Sequence, residues 1–337
     1  MKIRQQARCT KSIVNNASPI KQRGVSLIEL MISIVLGMLA ILAVLSAYMA
    51  IARTHATGDN LARIQDNTRM AFEFMTSDFR DAGLVLCGDV ATFTNTLAQN
   101  PPAPAPPEFW WGARGIRGYA STATVEGRPF GVQPGNRAAG TEAVQVSASR
   151  GNGISVATSA PGEFTLQNAN HGFGANEAVI VCDQNQAHLT RISPIPLPPA
   201  APTNRVSTNL AANTAYQRNS IMAAYSTTLW YIGCTGRGNC AGPGGRALFR
   251  IASGENNTNA EEIVPDVSEM RLFYLVRGSQ DYVSAAAIAA NDWGNVIAMR
   301  ISLTLHSTDR NVATDTAQEG RLFRTVTHTI ALRNRVP

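Results

Sequence analysis

The sequence predicts an α+β fold in which a long N-terminal helix, membrane-spanning in its first half and amphipathic in its second, packs on an antiparallel β-sheet head. Three observations lead there. Residues 30–51 run 22 positions without a charge, enough to cross a bilayer as a helix. The next stretch repeats apolar side chains at three- and four-residue steps. From residue 84 onward Ala, Pro, Gly, Asn and Thr dominate, and short alternating runs take over.

The first 24 residues hold Lys2, Arg4, Arg8, Lys11, Lys21 and Arg23 and no acid. The formal charge of +6 on the 337-residue chain is theirs alone, because the remainder has 23 arginines, no lysine and 23 acidic residues. That distribution argues against a nucleic-acid surface. Cations ahead of an apolar span stay on the cytoplasmic side, so the chain beyond the span is expected to cross. A secretory signal peptide cut near Ala50-Ile51-Ala52 is the competing reading, but the apolar run is long for one. Glu29 stands at the cytoplasmic edge of the run. A deep, unpaired carboxylate there costs roughly 2.5–3.5 kcal/mol, so a compensating partner is expected.

Beyond the span, Leu61, Ile64, Ala71, Phe72, Met75 and Phe79 form one helical stripe over residues 53–81, with charges between them. Gly58 is a point where this helix could bend, and Gly83 is the expected C-cap. Two proline runs, residues 100–108 and 193–202, read as stiff connectors within the head. The clearest strand covers residues 296–305: Ile297, Met299, Ile301, Leu303 and Leu305 face one way, and Arg300, Ser302 and Thr304 the other. Leu322, Val326, Ile330 and Leu332 give a last strand a similar face, while EAVQVSA, EAVIVC, TLWYI and MRLFYLV supply further candidates. Half-buried alternation of this kind belongs to antiparallel sheets.

Cys9 lies in the leader, leaving Cys87, Cys182, Cys234 and Cys240, an even set that fits an oxidising compartment. Cys234 and Cys240 bracket Thr-Gly-Arg-Gly-Asn and can close a small disulfide loop. A metal knuckle is the rival, with no further Cys or His ligand nearby in sequence. Cys87 and Cys182 would then pair by elimination, tying the helix end to a strand, although four cysteines allow three connectivities. The run GRGNCAGPGG lacks the ending of a phosphate cradle and reads as a flexible loop. His328 reads as a hydrogen-bonded structural side chain, and the other histidines have no metal-binding or catalytic spacing. Glu261, Glu262, Asp266 and Glu269 do not match a calcium loop, and no G-x-S-x-G occurs. Trp110 and Trp111 are either a partner patch or buried aromatics. No catalytic residue, metal, cofactor or small-molecule substrate is expected.

The segment RGVSLIEL, residues 23–30, resembles the type III signal of prepilins and pseudopilins. In that family a membrane-embedded aspartic peptidase, the prepilin peptidase, cuts after the glycine and methylates the new N-terminal amine. The resemblance implies cleavage after Gly24, a mature chain beginning at Val25, and Glu29 at the family's signature fifth position. Val25 stands where most members carry phenylalanine. More of the chain resembles the PilW family of minor pilin assembly proteins: NTRMAFEFMTSDFRDAGLVLCGD after the span, then TLWYIGC, ALFRIASG and EEIVPDVSEMRLFYLV in that order, and VIAMRISLTLHS and LFRTVTHTIALRNRVP at the end.

Electrostatics gives the fifth-position acid a task of its own. Glu29 among the packed helices of a filament is tolerable only if paired, and the protonated amine that cleavage creates at Val25 is a natural partner from a neighbouring subunit. The plainer alternative leaves Glu29 in the headgroup layer with no partner. The expected organisation is a cleaved basic leader (1–24), a transmembrane and filament-core helix (25–51), an amphipathic continuation (52–83) and a periplasmic β-rich head (84–337). By resemblance, the protein is a single-pass bacterial inner-membrane protein that is a substrate of prepilin peptidase. It associates with other minor and major pilins to start assembly of a type IV pilus, with incorporation in the fibre a further expectation. A type II secretion minor pseudopilin, a pilin-anchored adhesin and a signal-anchored periplasmic enzyme are the rival readings.

Overall fold

A computed structural model describes residues 24–88, 92–97, 115–125, 128–193, 204–211, 214–253, 260–313 and 317–335. The leader up to residue 23, the first proline run, nearly all of the second, and Trp110 and Trp111 lie outside the described residues. Two compact units are distinguished, Met1–His55 and Ala56–Pro337.

The first unit contains the start of a single helix, α1 (Leu27–Arg80). All of its described residues, 24–55, are exposed, including every large apolar side chain of the uncharged run. Its few hydroxyls are turned inward on the helix itself. Ser33 donates to the Glu29 carbonyl (2.7 Å), Ser46 to Ala43 (2.8 Å) and Thr54 to Ala50 (3.0 Å). Such back-bonding removes polar groups from the helix surface, leaving an outside suited to lipid or to other apolar helices.

In the second unit α1 changes character. Asn60, Ile64, Ala71, Met75 and Phe79 are buried, spaced by four or seven residues and so on one side of the helix, and the last four join one core with both sheets of the head. Each large side chain of this stripe contributes about 1.5–3 kcal/mol by burial. The helix is not interrupted at Gly58, whose surroundings are open. It ends at Arg80. Gly83 comes next in a left-handed conformation (φ +77°) and donates its N–H to the Ser147 carbonyl (2.9 Å), so the chain leaves the helix along the head. A Cβ on Gly115 would lie 2.2 Å from the Gly83 nitrogen, so this approach requires glycine.

The head is predominantly antiparallel. Its strands are β1 (Thr92–Asn95), β2 (Ile116–Tyr119), β3 (Ala143–Ala160), β4 (Glu163–Leu166), β5 (Ala178–Cys182), β6 (Gln186–Arg191), β7 (Arg205–Ser207), β8 (Ile221–Cys234), β9 (Arg246–Ser253), β10 (Glu261–Pro265), β11 (Val267–Val276), β12 (Tyr282–Ser284), β13 (Val296–His306) and β14 (Phe323–Ala331). The larger sheet runs β1-β6-β5-β8-β3-β4-β7, with β2 also on β3, and β9 then β10 beyond β8; among the described strands only β1 and β6 pair in parallel. A second sheet has the order β12-β11-β13-β14. On β13, Met299, Ile301, Leu303 and Leu305 are fully buried and Ile297 half-buried, in agreement with the alternation read from sequence. EAVQVSA and TLWYI are parts of much longer strands, β3 and β8, whose ladder skips from Arg150 to Ile154 at a bulge.

The glycine-rich run after Cys234 is tightly packed, contrary to the flexible loop the sequence suggested. A Cβ on Gly238 would lie 2.8 Å from the Gly244 carbonyl oxygen, and one on Gly245 2.5 Å from Asn239. His328 also departs from expectation. It is exposed and meets the Phe72 ring at 5.3 Å in place of a hydrogen bond.

Candidate processing and assembly site

The residues singled out at the N-terminus lie together because they are contiguous. Gly24, Val25 and Ser26 precede α1 without helical structure, and the first helical bond runs from the Leu30 N–H to the Ser26 carbonyl (3.1 Å). Among the described residues Gly24 has no heavy atom within 4 Å of where a Cβ would stand, and its φ lies outside the left-handed region. Neither folding nor backbone geometry requires glycine here. A requirement for glycine at this position must come from another molecule that grips the chain closely.

Glu29 occupies the first turn of α1, where the helix dipole favours a negative charge. Its side chain has no hydrogen-bond or ionic partner among the described residues, and it is exposed. It is the one acidic or basic residue from Gly24 to Ala52. Val25 is 68% exposed, so an amine generated there would also be free to meet a second chain.

The same stretch carries a family likeness. A family model for the prokaryotic N-terminal methylation motif matches residues 20–45. No curated protein matches the chain. The methylation motif supports a type IV pilin-like or pseudopilin-like protein, a structural subunit rather than an enzyme. It implies processing by prepilin peptidase and association with pilins. An apolar N-terminal helix long enough to span a membrane, joined to a β-rich head, fits membrane anchoring.

The cysteines lie far from the motif. Cys87 is bonded to Cys182 and Cys234 to Cys240, which selects one of the three connectivities and spends the thiols that a metal knuckle would have used. The first bond ties the segment leaving α1 to β5, and the second closes the turn after β8.

Elsewhere the polar groups of the head converge on structural tasks. Asp78 on α1 accepts a hydrogen bond from Trp230 Nε1 (2.8 Å) and pairs with Arg250 Nε (3.3 Å), locking the helix to β8 and β9. Burial raises the Asp78 carboxyl above its ordinary range, against the pull of Arg250 and the Trp230 hydrogen bond. Arg137, 1% exposed, donates to the Ala123, Ala120 and Thr141 carbonyls and lies over the Phe130 ring; burial lowers its guanidinium to about 10. Glu142 accepts the Leu272 N–H (2.6 Å), joining the start of β3 to β11. Tyr216 donates to the Val181 carbonyl and meets His188 Nδ1 at 2.6 Å, a pair fixed to the backbone. The C-terminal Arg335, buried, donates to the Trp293 and Gly294 carbonyls, while Asn334 donates to the Arg80 carbonyl at the end of α1. Sequence reasoning noticed the arginine-asparagine-arginine tail only as a likeness. It missed Arg137 and Asp78 altogether, because nothing local marks a charged residue that distant carbonyls or ring nitrogens will satisfy.

Proposed function

We propose that the chain is a minor pilin of the PilW type, a subunit that helps initiate type IV pilus assembly and is built into the fibre. One observation carries this reading: the first stretch of α1, exposed throughout residues 27–52, has a single charged side chain, Glu29, which stands five residues after Gly24 inside a methylation motif. In this reading residues 1–24 are the cleaved leader, 25–51 the membrane and filament-core helix, 52–83 its amphipathic continuation and 84–337 the periplasmic head. The two disulfides support placing the head in an oxidising compartment such as the periplasm. The order of head motifs and the fastened C-terminal tail favour the PilW type over a type II secretion pseudopilin.

The chemistry asked of this chain is that of a substrate and then of a building block. Prepilin peptidase cuts after Gly24, and the freed Val25 amine of one subunit meets the Glu29 carboxylate of its neighbour in an apolar bundle. There a paired charge is tolerated and an unpaired one is not. The test is intact-mass analysis of the full chain produced with a prepilin peptidase. A methylated N-terminus at Val25 is expected, and Gly24→Phe should accumulate uncut precursor. A mature N-terminus near residue 53, or normal processing of the variant, overturns the proposal. Deleting the gene in its host should abolish piliation and spare type II secretion; the reverse pattern would assign the chain to the secretion system.

A further inference from the structure

We propose that the free edge of β14, with the groove beside it, accepts an extended, acidic strand from another protein chain. Among the described residues β14 is the end strand of its sheet, and it is nine residues long without a proline. The other strands with a single partner, β1, β2, β7, β10 and β12, have three to five residues, and β10 ends in Pro265. Short strands and prolines blunt an edge; a long, proline-free one is a template for pairing.

The register identifies which groups are on offer. Leu332 donates to the Ile297 carbonyl and Ser307 to the Leu322 carbonyl, and both pairs fall in the β13–β14 register. Hydrogen-bonded pairs in an antiparallel ladder recur every second residue, so the even-numbered residues of β14 are bonded to β13. Thr325, Thr327 and Thr329 therefore direct their N–H and C=O groups to the free edge.

Alongside that edge, between β14 and the flank of α1, lies a groove of about 510 Å³ lined by Arg69, Phe72, Glu73, Arg80 and Arg333, among others. Among the described residues the guanidinium groups of Arg69, Arg80 and Arg333 have no hydrogen-bond or ionic partner. Arg324, likewise unpaired and exposed, shares its β14 face with His328, which meets Phe72 on α1. Among the residues lining the groove three cations, Arg69, Arg80 and Arg333, stand against two acids, Glu73 and Asp81, and Arg324 adds a cation on the adjoining face of β14. Alternate side chains of that strand would enter the groove, and carboxylates there would find guanidinium partners. Nothing in this pairing depends on the pilin reading.

The experiment uses the full-length chain in detergent micelles and two synthetic nine-residue peptides, one alternating threonine with glutamate and the other threonine with lysine. The glutamate peptide should bind about tenfold tighter at low salt. It should slow amide hydrogen exchange at Thr325, Thr327 and Thr329. Thr329→Pro removes one outward N–H and should weaken binding about tenfold without lowering the melting temperature. Arg80→Glu with Arg333→Glu leaves the ladder intact and should abolish the preference between the peptides. Absence of binding, equal binding of both peptides, or binding that leaves the three threonine amides unprotected overturns the proposal.

Discussion

Gly24 and Glu29 are unusual in having no task inside their own chain. No described atom crowds the one, and no described group meets the carboxylate of the other. A Glu29→Ala chain should therefore fold and insert like the wild type while failing to support fibres, scored by pilus counts against membrane-fraction immunoblots; full piliation would remove the pairing argument. Asp78 is the opposite case, a buried carboxyl whose partners, Trp230 and Arg250, belong to the same chain. Because burial raises its folded-state pKa above the unfolded value, the folded chain holds the proton more tightly. The contribution of this group is thus fully present at acid pH, below the unfolded pKa near 3.9, and declines as pH rises through the folded value. The stability of wild type relative to Asp78→Asn, followed by denaturant melts, should fall as pH is raised from the acid range toward neutrality. A rise would contradict the assignment. The methylation motif was legible because it is local. Asp78, Arg137 and Arg335 were not, since the partners of Asp78 and Arg335 lie 41 or more residues away and Arg137 is satisfied by three different carbonyls.

Among the elements, α1 and β13 could be read directly because each presents a period that matches its burial: Ile64, Ala71, Met75 and Phe79 on the helix, and Met299 to Leu305 by twos on the strand. β3 was seen only in part. Its Arg-Gly-Asn-Gly interior looks like a turn in sequence, but the structure absorbs it as a bulge that β8 bridges on both sides. The parallel β1–β6 pair joins segments about ninety residues apart and leaves no local trace. The disulfides differ in what they constrain. Chain-entropy reasoning gives roughly 4.5 kcal/mol for the 95-residue separation of Cys87 and Cys182 and roughly 2 kcal/mol for the 6-residue separation of Cys234 and Cys240. Replacing the first pair by alanines should accordingly lower the melting temperature more than replacing the second. Equal losses would place the stabilisation in local packing.

For the whole molecule, charge is the property that the proposed cleavage after Gly24 would change most. All of the +6 excess resides in residues 1–24, so removing them leaves a chain of 23 arginines and 23 acids. Isoelectric focusing should show the precursor near pI 9.3 and the mature form shifted well toward neutrality. A mature form that still focuses near the precursor would mean that the leader is retained. The overall plan, helix then antiparallel head, was legible from composition and periodicity. The division of the head into two sheets was not, because it depends on which strands find one another.

The open surroundings of Gly24 also bear on inheritance. A substitution there would give a subunit that folds, oxidises and inserts, and so escapes the proteases that clear damaged proteins. Under the proposed processing, such a subunit would keep a folded head while withholding the Val25 amine from the Glu29 of its neighbour. If it still entered complexes with a normal copy, the allele would behave as dominant where a simple deletion is recessive, which pilus counts on co-expression with the wild type would show.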